Sequence, residues 1–536
     1  MRRWNGWGDD SITYAINADA LSFLQERIGQ GIPQTDAGLD QVCQQVPASR
    51  LPAHSLIDTD ALGRVRHSLG QSLPDWLKMR FGKISHFPDG VAYPESAEDV
   101  RSLLDFATLH NIALIPYGGG TSVVGHLAVT ESVQTVLSVD MSRMSQLLNL
   151  DTEAQLATFG AGVFGPDLEA QLRAHGYTLG HFPQSFEYST LGGWVVTRSS
   201  GQQSLRYGRI EQLLAGARVE TPAGRLDIQS FPASAAGLDL REMLLGSEGR
   251  LGILTEVTVR ITPLPAREEF HAVFFPDWDA AQTAVRTIVQ TKPGLSMLRL
   301  SNATETLTSL TLAGHKKLIG LLESYLRLRA CDEAKCVLLI GASGEKSQVS
   351  HAIKFALKVA GQQGGVHVGK TMGEKWKQGR FRNVYLRNSA WQQGYAIDTV
   401  ETACDWSRVK TMMLNMEQAG RDAMATENEQ VHAYTHLSHL YGQGASVYST
   451  FVYRLTGDYE QDHARWRRLK SAVSAAIVAN GGTISHQHGV GSDHAAYLEL
   501  EKGSLGISGM RHLFKHFDPQ GIMNPGKLLP VEVVTR

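Results

Sequence analysis

The chain has 536 residues, enough for two to four domains around a large core. Hydrophobic residues make up 42% and charged residues 19%, the balance of an ordinary globular enzyme. A net charge of −2, from 51 basic and 53 acidic residues, gives no general case for nucleic acid or an anionic membrane as partner. Four cysteines, none in a Cys-x-x-Cys pair, argue against a disulfide framework, structural zinc or an iron–sulfur centre. No apolar run reaches the roughly 18 residues of a spanning helix, and none near the start has signal-peptide length. A cytoplasmic location is the expectation.

Residues 1–85 are expected to form a helical extension, with Ala20, Leu21, Leu24 and Ile28 at helical spacing and Trp4 and Trp7 packing on the main body. Strand–helix alternation then runs over residues 86–265. Ser96 and Asp99 are placed to cap a helix whose buried face is Val100, Leu103, Leu104 and Ala107. The apolar run from Ile112 to Ile115 predicts a strand, ended by Pro116, which lacks an N–H for the ladder. Gly118, Gly119 and Gly120, with Thr121 and Ser122, follow at once. Such a turn can line up backbone N–H groups into an anion-binding hollow, with a phosphate or pyrophosphate as the natural guest. It fits neither Gly-x-Gly-x-x-Gly nor a Gly-Lys-Ser/Thr phosphate loop. Val133 to Val139 predicts another strand, and Asp167 to His175 a helix between Pro166 and Gly176.

Two further glycine-rich stretches lie in this part of the chain. His181 to Gly201 is rich in hydroxyls and predicts a loop lining a polar cofactor, with Trp194 as packing. Gly246 to Val257 predicts a glycine turn feeding a strand. Three such loops within about 140 residues favour one cofactor cleft over three unrelated turns. Residues 266–440 read as a second domain, the substrate cap. Its basic run Lys370, Lys375, Lys377, Arg380 and Arg382 is expected to be a solvated face. Residues 441–536 are expected to complete the cap and the cofactor site. They comprise a strand from Ser446, a helix through Leu469, Val473 and Ile477, a short strand Thr483–Ser485, the turn from His486 to Gly491, and a Pro/Gly-rich end at Asn524-Pro-Gly-Lys527.

These stretches together resemble the vanillyl-alcohol-oxidase, or PCMH-type, FAD enzymes. Within them the chain is most similar to alkyl-dihydroxyacetone-phosphate synthases and bacterial FAD-linked oxidase relatives, from Arg3-Trp-Asn-Gly-Trp-Gly-Asp9 nearly to the end. The resemblance implies an α+β fold, a two-subdomain FAD-binding domain with a second α+β cap domain and a C-terminal helical segment. It implies one FAD, non-covalently held. Pro116, Tyr117, Gly118, Gly119, Gly120, Thr121 and Ser122 would cradle the pyrophosphate. Gln184, Ser185, Ser189, Thr190, Gly193, Thr197, Arg198, Ser199 and Ser200 would line the cofactor. Glu248, Gly249, Gly252 and Ile253 would meet its adenosine or ribityl side, and Asn524 would join them.

It further implies that Arg387 holds a substrate phosphate, its guanidinium suiting carboxylate equally well, and that Tyr448 serves in proton transfer. Synthases carry three consecutive histidines where this chain has His486, Gln487 and His488, and glutamine cannot act as a general base. Dehydrogenase relatives that oxidise 2-hydroxy acids carry Glu-His-Gly there, with a His-x-Gly-Asp-Gly-Asn-x-His metal stretch. Here that region reads from His436 through His439 to Tyr448 without the aspartate, so no metal is expected. On a plain strand, His436 and His439 either flank the substrate or face opposite sides.

The leading expectation is an FAD-dependent oxidoreductase on a small anionic hydroxy or keto substrate. Arg387 would hold the anion, and Tyr448, His488 or His486 would take a proton as hydride passes to the flavin. The alternative is the redox-neutral transferase of ether-lipid synthesis, acting on an acyl-bearing phosphate. A non-catalytic flavin-binding protein is the third. A homodimer is left open.

Overall fold

A computed structural model describes residues 2–129 and 134–530. Val133 of the expected strand lies outside the described residues, and the strand itself runs Val136–Asp140. The fold is mixed α+β with four sheets. Gly90–Ala92, Val136–Asp140 and Ala113–Tyr117 pair in parallel, and Ile57–Asp58 adds antiparallel to Gly90–Ala92. The first 85 residues therefore give this sheet a strand as well as helices. Ser96 and Asp99 make the complete reciprocal capping box at the head of the helix Ala97–His110. A cap of this kind stabilises a helix by about 1 kcal/mol. Val100, Leu103, Leu104 and Ala107 are buried on that helix, as expected.

Pro116 does not end its strand. It pairs with Val139, and Tyr117 pairs with Asp140. The proline is tolerated because Ala113–Tyr117 is the last strand of its sheet. On its free side the C-terminal segment bridges Leu114 through Met523, which carries Asn524 into place.

A second, antiparallel sheet orders Leu147–Asp151, Leu156–Gly160, Ile253–Arg260, Leu214–Thr221 and Gly224–Ile228. The stretch expected as a loop from His181 to Gly201 contains the helix Leu191–Thr197. Thr190 caps it, and Gly192 lets it lie against the Ala161 carbonyl. The expected strand at Thr483–Ser485 does not form. The amide of Ile484 donates to the Glu501 side chain and that of Thr483 to the Ala403 carbonyl.

The third large sheet has seven strands in the order Val366–His367, Arg267–Phe275, Cys336–Gly344, Met297–Ser301, His432–Leu440, Gly444–Arg454 and Tyr395–Asp405. All its pairings are antiparallel. One face buries Leu298, Leu300, Leu338, Ile340, Leu437 and Val447 under the helices Trp278–Thr291, Lys346–Gln362, Val409–Ala425 and Tyr459–Ala479. The alternate residues of the same strands face a cavity shared with the glycine loops. Division of the chain at residues 85, 265 and 440 is kept as a proposal.

Candidate active site

A single cavity of about 1150 Å³ takes in all three glycine loops and the open face of the seven-stranded sheet. Its first wall is backbone. The amides of Gly118 to Val123 make no hydrogen bond to the described residues. A Cβ on Gly118 would collide with Thr190 Oγ1, and one on Gly119 with the Tyr188 carbonyl. The glycines are thus required by the close approach of the Tyr188–Thr190 loop. They leave a row of free N–H groups suited to a pyrophosphate. Ser200 Oγ, Ser247 Oγ and Asn524 Oδ1 are buried without a partner. Of these, Ser200 and Asn524 line the cavity and offer the polar contacts a ribityl chain or ribose needs. This wall fits a dinucleotide.

Pro116 to Ser122, Gln184, Ser185, Ser189, Thr190, Gly193, Thr197, Ser199, Ser200, Gly249, Gly252 and Ile253 all line the cavity. Arg198 does not. It caps the helix Leu191–Thr197 at φ 53°, and its guanidinium turns outward to Glu242 and the Leu245 carbonyl. Glu248 reaches the cavity, but its carboxylate serves the protein. It accepts the amides of Val490 (2.6 Å) and Gly491 (2.8 Å) and meets His126 Nε2 at 3.0 Å. Its carbonyl takes Asn524 Nδ2 at 2.8 Å. Its carboxylate thus clamps the histidine–glycine turn, while the residue itself lines the cavity. Trp7 and Trp194 both pack and line the cavity, Trp7 edge-on to Tyr188.

The second wall is side chains. Register places Ser301, His436, Tyr448 and Glu401 in one row across four adjacent strands. The Tyr448 ring stacks on His436 at 4.9 Å and meets His488 edge-on at 5.4 Å. Burial raises the Tyr448 phenol to about 12, so it is protonated at neutral pH. Arg387 comes from the helix Leu386–Gln392. Its Nη1 donates to the Gln71 carbonyl at 2.9 Å and its guanidinium lies 4.3 Å over the Trp76 ring. No carboxylate among the described residues pairs with it within 4 Å. Burial lowers its pKa, but a guanidinium remains charged in proteins. A half-buried guanidinium on the cavity wall without a carboxylate partner has the chemistry to hold an anion.

The turn from Ser485 to Gly489 is organised by Glu401, which sequence reasoning missed. Its fully buried carboxylate accepts the amides of His486 (2.9 Å), Gln487 (3.2 Å) and His488 (3.1 Å), and the Ser485 hydroxyl at 2.7 Å. The strand Tyr395–Asp405 also carries Asp398, Thr399, Thr402 and Asp405, so Glu401 does not stand out in the sequence. The turn sends its side chains different ways. His488 and Gln487 line the cavity; His488 Nδ1 is buried beneath the turn, 3.8 Å from Glu401 Oε1. Burial holds His488 below the usual histidine range, hence neutral. His486 is turned away from the cavity. Its Nε2 meets the Tyr441 hydroxyl at 2.6 Å and its ring packs on His439 at 5.1 Å. Direct proton transfer with a substrate is not open to it.

His436 and His439 both line the cavity, although three residues apart on one strand. The register shifts between Leu437 and Leu440, where Ser438 and His439 together oppose Ser446. Such a bulge re-aims one side chain. His439 Nε2 then donates to the carbonyl of Gly201, tying the substrate sheet to the cofactor loop. Of the basic run, Lys370 pairs with Glu269 and Lys377 with Glu268, while Lys375, Arg380 and Arg382 line the cavity.

Comparison with known proteins follows this division. Residues 88–227 match the FAD binding domain family and residues 264–528 the family of FAD linked oxidases, C-terminal domain. The chain is 31% identical to the alkyldihydroxyacetonephosphate synthase of Dictyostelium discoideum over 88% of its own length and 78% of the relative's. It is 30% identical to that of Trypanosoma brucei brucei over 98% and 92%. A solved alkyldihydroxyacetonephosphate synthase superposes with a TM-score of 0.84 at 26% identity, covering 98% of both chains. p-Cresol methylhydroxylase shares the fold alone, with a TM-score of 0.69 at 14% identity over 88% of this chain and 93% of that one. The chain is an FAD-dependent enzyme and belongs to the FAD-linked oxidase family that includes the alkyldihydroxyacetonephosphate synthases.

Proposed function

We propose that the protein is a redox-neutral transferase of the alkyldihydroxyacetonephosphate synthase type, exchanging the acyl group of a phosphate-bearing substrate for a long-chain alcohol. This reverses the order of the two expectations drawn from sequence. One observation carries it. The cavity that holds Arg387, Tyr448 and His488 is also lined by one apolar cluster, Met297, Leu310, Ile319, Leu322 and Leu339. A small hydroxy acid has no use for such a cluster, whereas an acyl or alkyl chain gains about 0.8 kcal/mol for each methylene it buries there. The whole-length match to synthases supports the same reading.

In this reading the amides of Gly118 to Ser122 hold the FAD pyrophosphate, and Ser200 and Asn524 take cofactor hydroxyls. When bound, FAD supplies an isoalloxazine ring whose N5 can act as nucleophile or accept hydride. Arg387 binds the substrate phosphate and Trp76 fixes the plane of its guanidinium. His488 is neutral and lines the cavity, so its ring is placed to take a proton. Tyr448, still protonated, returns one. Glu401 sets the turn that aims His488. Gln487 stands where synthases have a further histidine, so His488 carries this role without a histidine next to it on the turn's cavity-facing side.

Exchange of a labelled long-chain fatty acid into acyl-dihydroxyacetone phosphate by the FAD-loaded protein is the expected result. No exchange, together with flavin bleaching by a 2-hydroxy acid, would return the reading to the oxidoreductase.

A further inference from the structure

We infer that His436 is a further catalytic residue, an imidazole that presents Nε2–H to a carbonyl or ester oxygen of the substrate held at Arg387. The identity of that oxygen rests on the synthase reading, and the presentation of the N–H rests on the geometry. His436 is on the cavity face, between Ser301 and Tyr448 in the cross-strand row. Its ring lies nearly flat on Tyr448, at 4.9 Å and 20°. It therefore has one edge toward the helix Ala303–Leu312 and one toward the space where Tyr448 works.

The inner edge is fixed by a charged pair. Arg299 Nη2 donates to Glu305 Oε1 at 2.7 Å and lies 3.1 Å from His436 Nδ1, while Arg299 Nη1 donates to Ser301 Oγ at 3.1 Å. A guanidinium has only donors, so the Arg299 contact favours Nδ1 as the acceptor and the ring proton on Nε2. Glu305 Oε1 is also 3.1 Å from Nδ1; with the ring proton on Nε2 this contact is not a hydrogen bond, and Arg299, which reaches both groups, bridges them. A proton on Nδ1 would face the Arg299 N–H as well. Nε2 has no partner among the described residues. Burial first, and Arg299 second, hold the ring below the usual histidine range, so it stays an uncharged donor. A neutral imidazole is well suited to polarise a carbonyl, because it gives a hydrogen bond without giving up its proton.

Arg299, Glu305 and Ser301 are positioning residues, acting through His436. The cluster also accounts for a charged pair in a cavity that Met297, Leu310 and Leu339 also line. Glu305 is 5% exposed, and its carboxylate is held down at about 2, desolvation being outweighed with Arg299 as the leading cause.

Calorimetry on the FAD-loaded protein, with dihydroxyacetone phosphate and inorganic phosphate as separate probes, tests this. His436→Phe keeps a flat ring on Tyr448 but has no N–H, and His436→Gln restores a donor. His436→Phe should weaken dihydroxyacetone phosphate by about three- to tenfold and leave phosphate unchanged. His436→Gln should recover most of that loss. Unchanged binding by His436→Phe, equal weakening of both probes, or no recovery in His436→Gln would overturn the assignment. If the probes discriminate as expected but no acyl exchange occurs, the donor role stands and the synthase reading falls. A wild-type protein that binds neither probe would overturn both.

Discussion

The two walls of the cavity are made of different material. The cofactor wall is backbone: free amides from Gly118 to Val123, three glycine turns, and neighbouring carbonyls within contact of where a Cβ would be. The substrate wall is side chains: Arg387, Tyr448, His436 and His488, each shifted by burial. Backbone amides cannot be titrated or exchanged by point mutation, so the first wall suits a resident cofactor. Buried side chains with altered proton affinity suit a reacting guest. Two carboxylates, Glu248 and Glu401, belong to neither function directly. They hold the turn between the walls, one on Val490 and Gly491, the other on His486 to His488.

The contrast predicts separable defects. Tyr448→Phe removes the protonated phenol and should lower kcat by about 10²–10⁴, with FAD content unchanged in the visible spectrum. Gly119→Ala should do the opposite. The added methyl must displace the Tyr188 carbonyl, an overpacking cost of about 1–3 kcal/mol, so FAD affinity should fall by about ten- to hundredfold while the reloaded enzyme keeps its kcat. A Tyr448→Phe protein that loses FAD, or a Gly119→Ala protein that keeps it, would break the division. Arg387→Ala should raise KM for the phosphate substrate by about ten- to a hundredfold, as for a charge-assisted hydrogen bond of about 1.5–3 kcal/mol. Unchanged KM would remove its anion role.

The smallest effect per residue is in stability against pH. His181 and His439 are held at about 3 and His432 at about 4, all chiefly by burial. Below the ordinary histidine value of 6.5 the unfolded chain therefore binds protons that the folded one does not, and stability falls as pH falls. Each histidine contributes up to about 1.4 kcal/mol per pH unit between 6.5 and its folded value. Melting temperature should be level from pH 7 to 8 and decline steadily from 6.5 to 5. Replacing His439 by Gln should flatten that decline, and an unaltered slope would contradict a buried neutral ring.

Legibility in the sequence followed the same division. The glycine loops are contiguous, so their residue types announce a hollow, and all but Arg198 of the residues read from them face the cavity. Arg198 was misleading because an αL cap turns its side chain away from its neighbours. The substrate wall is assembled from segments more than a hundred residues apart. Arg299 and Glu305 look like ordinary strand and helix-start charges, and Glu401 like one acid among strand residues. The bulge at Ser438 and His439 has no glycine or proline to mark it, and it alone puts two histidines three apart on one face. His486 and His488 both stood among the proton-transfer candidates, and a tight turn points them apart.

The most direct test of the account is the anaerobic visible spectrum of the FAD-loaded protein during turnover with acyl-dihydroxyacetone phosphate and a labelled long-chain alcohol. The account predicts label in alkyl-dihydroxyacetone phosphate, release of the fatty acid, and a flavin that ends the reaction oxidised. Absence of labelled product, with lasting bleaching of the flavin by a 2-hydroxy acid, would contradict it.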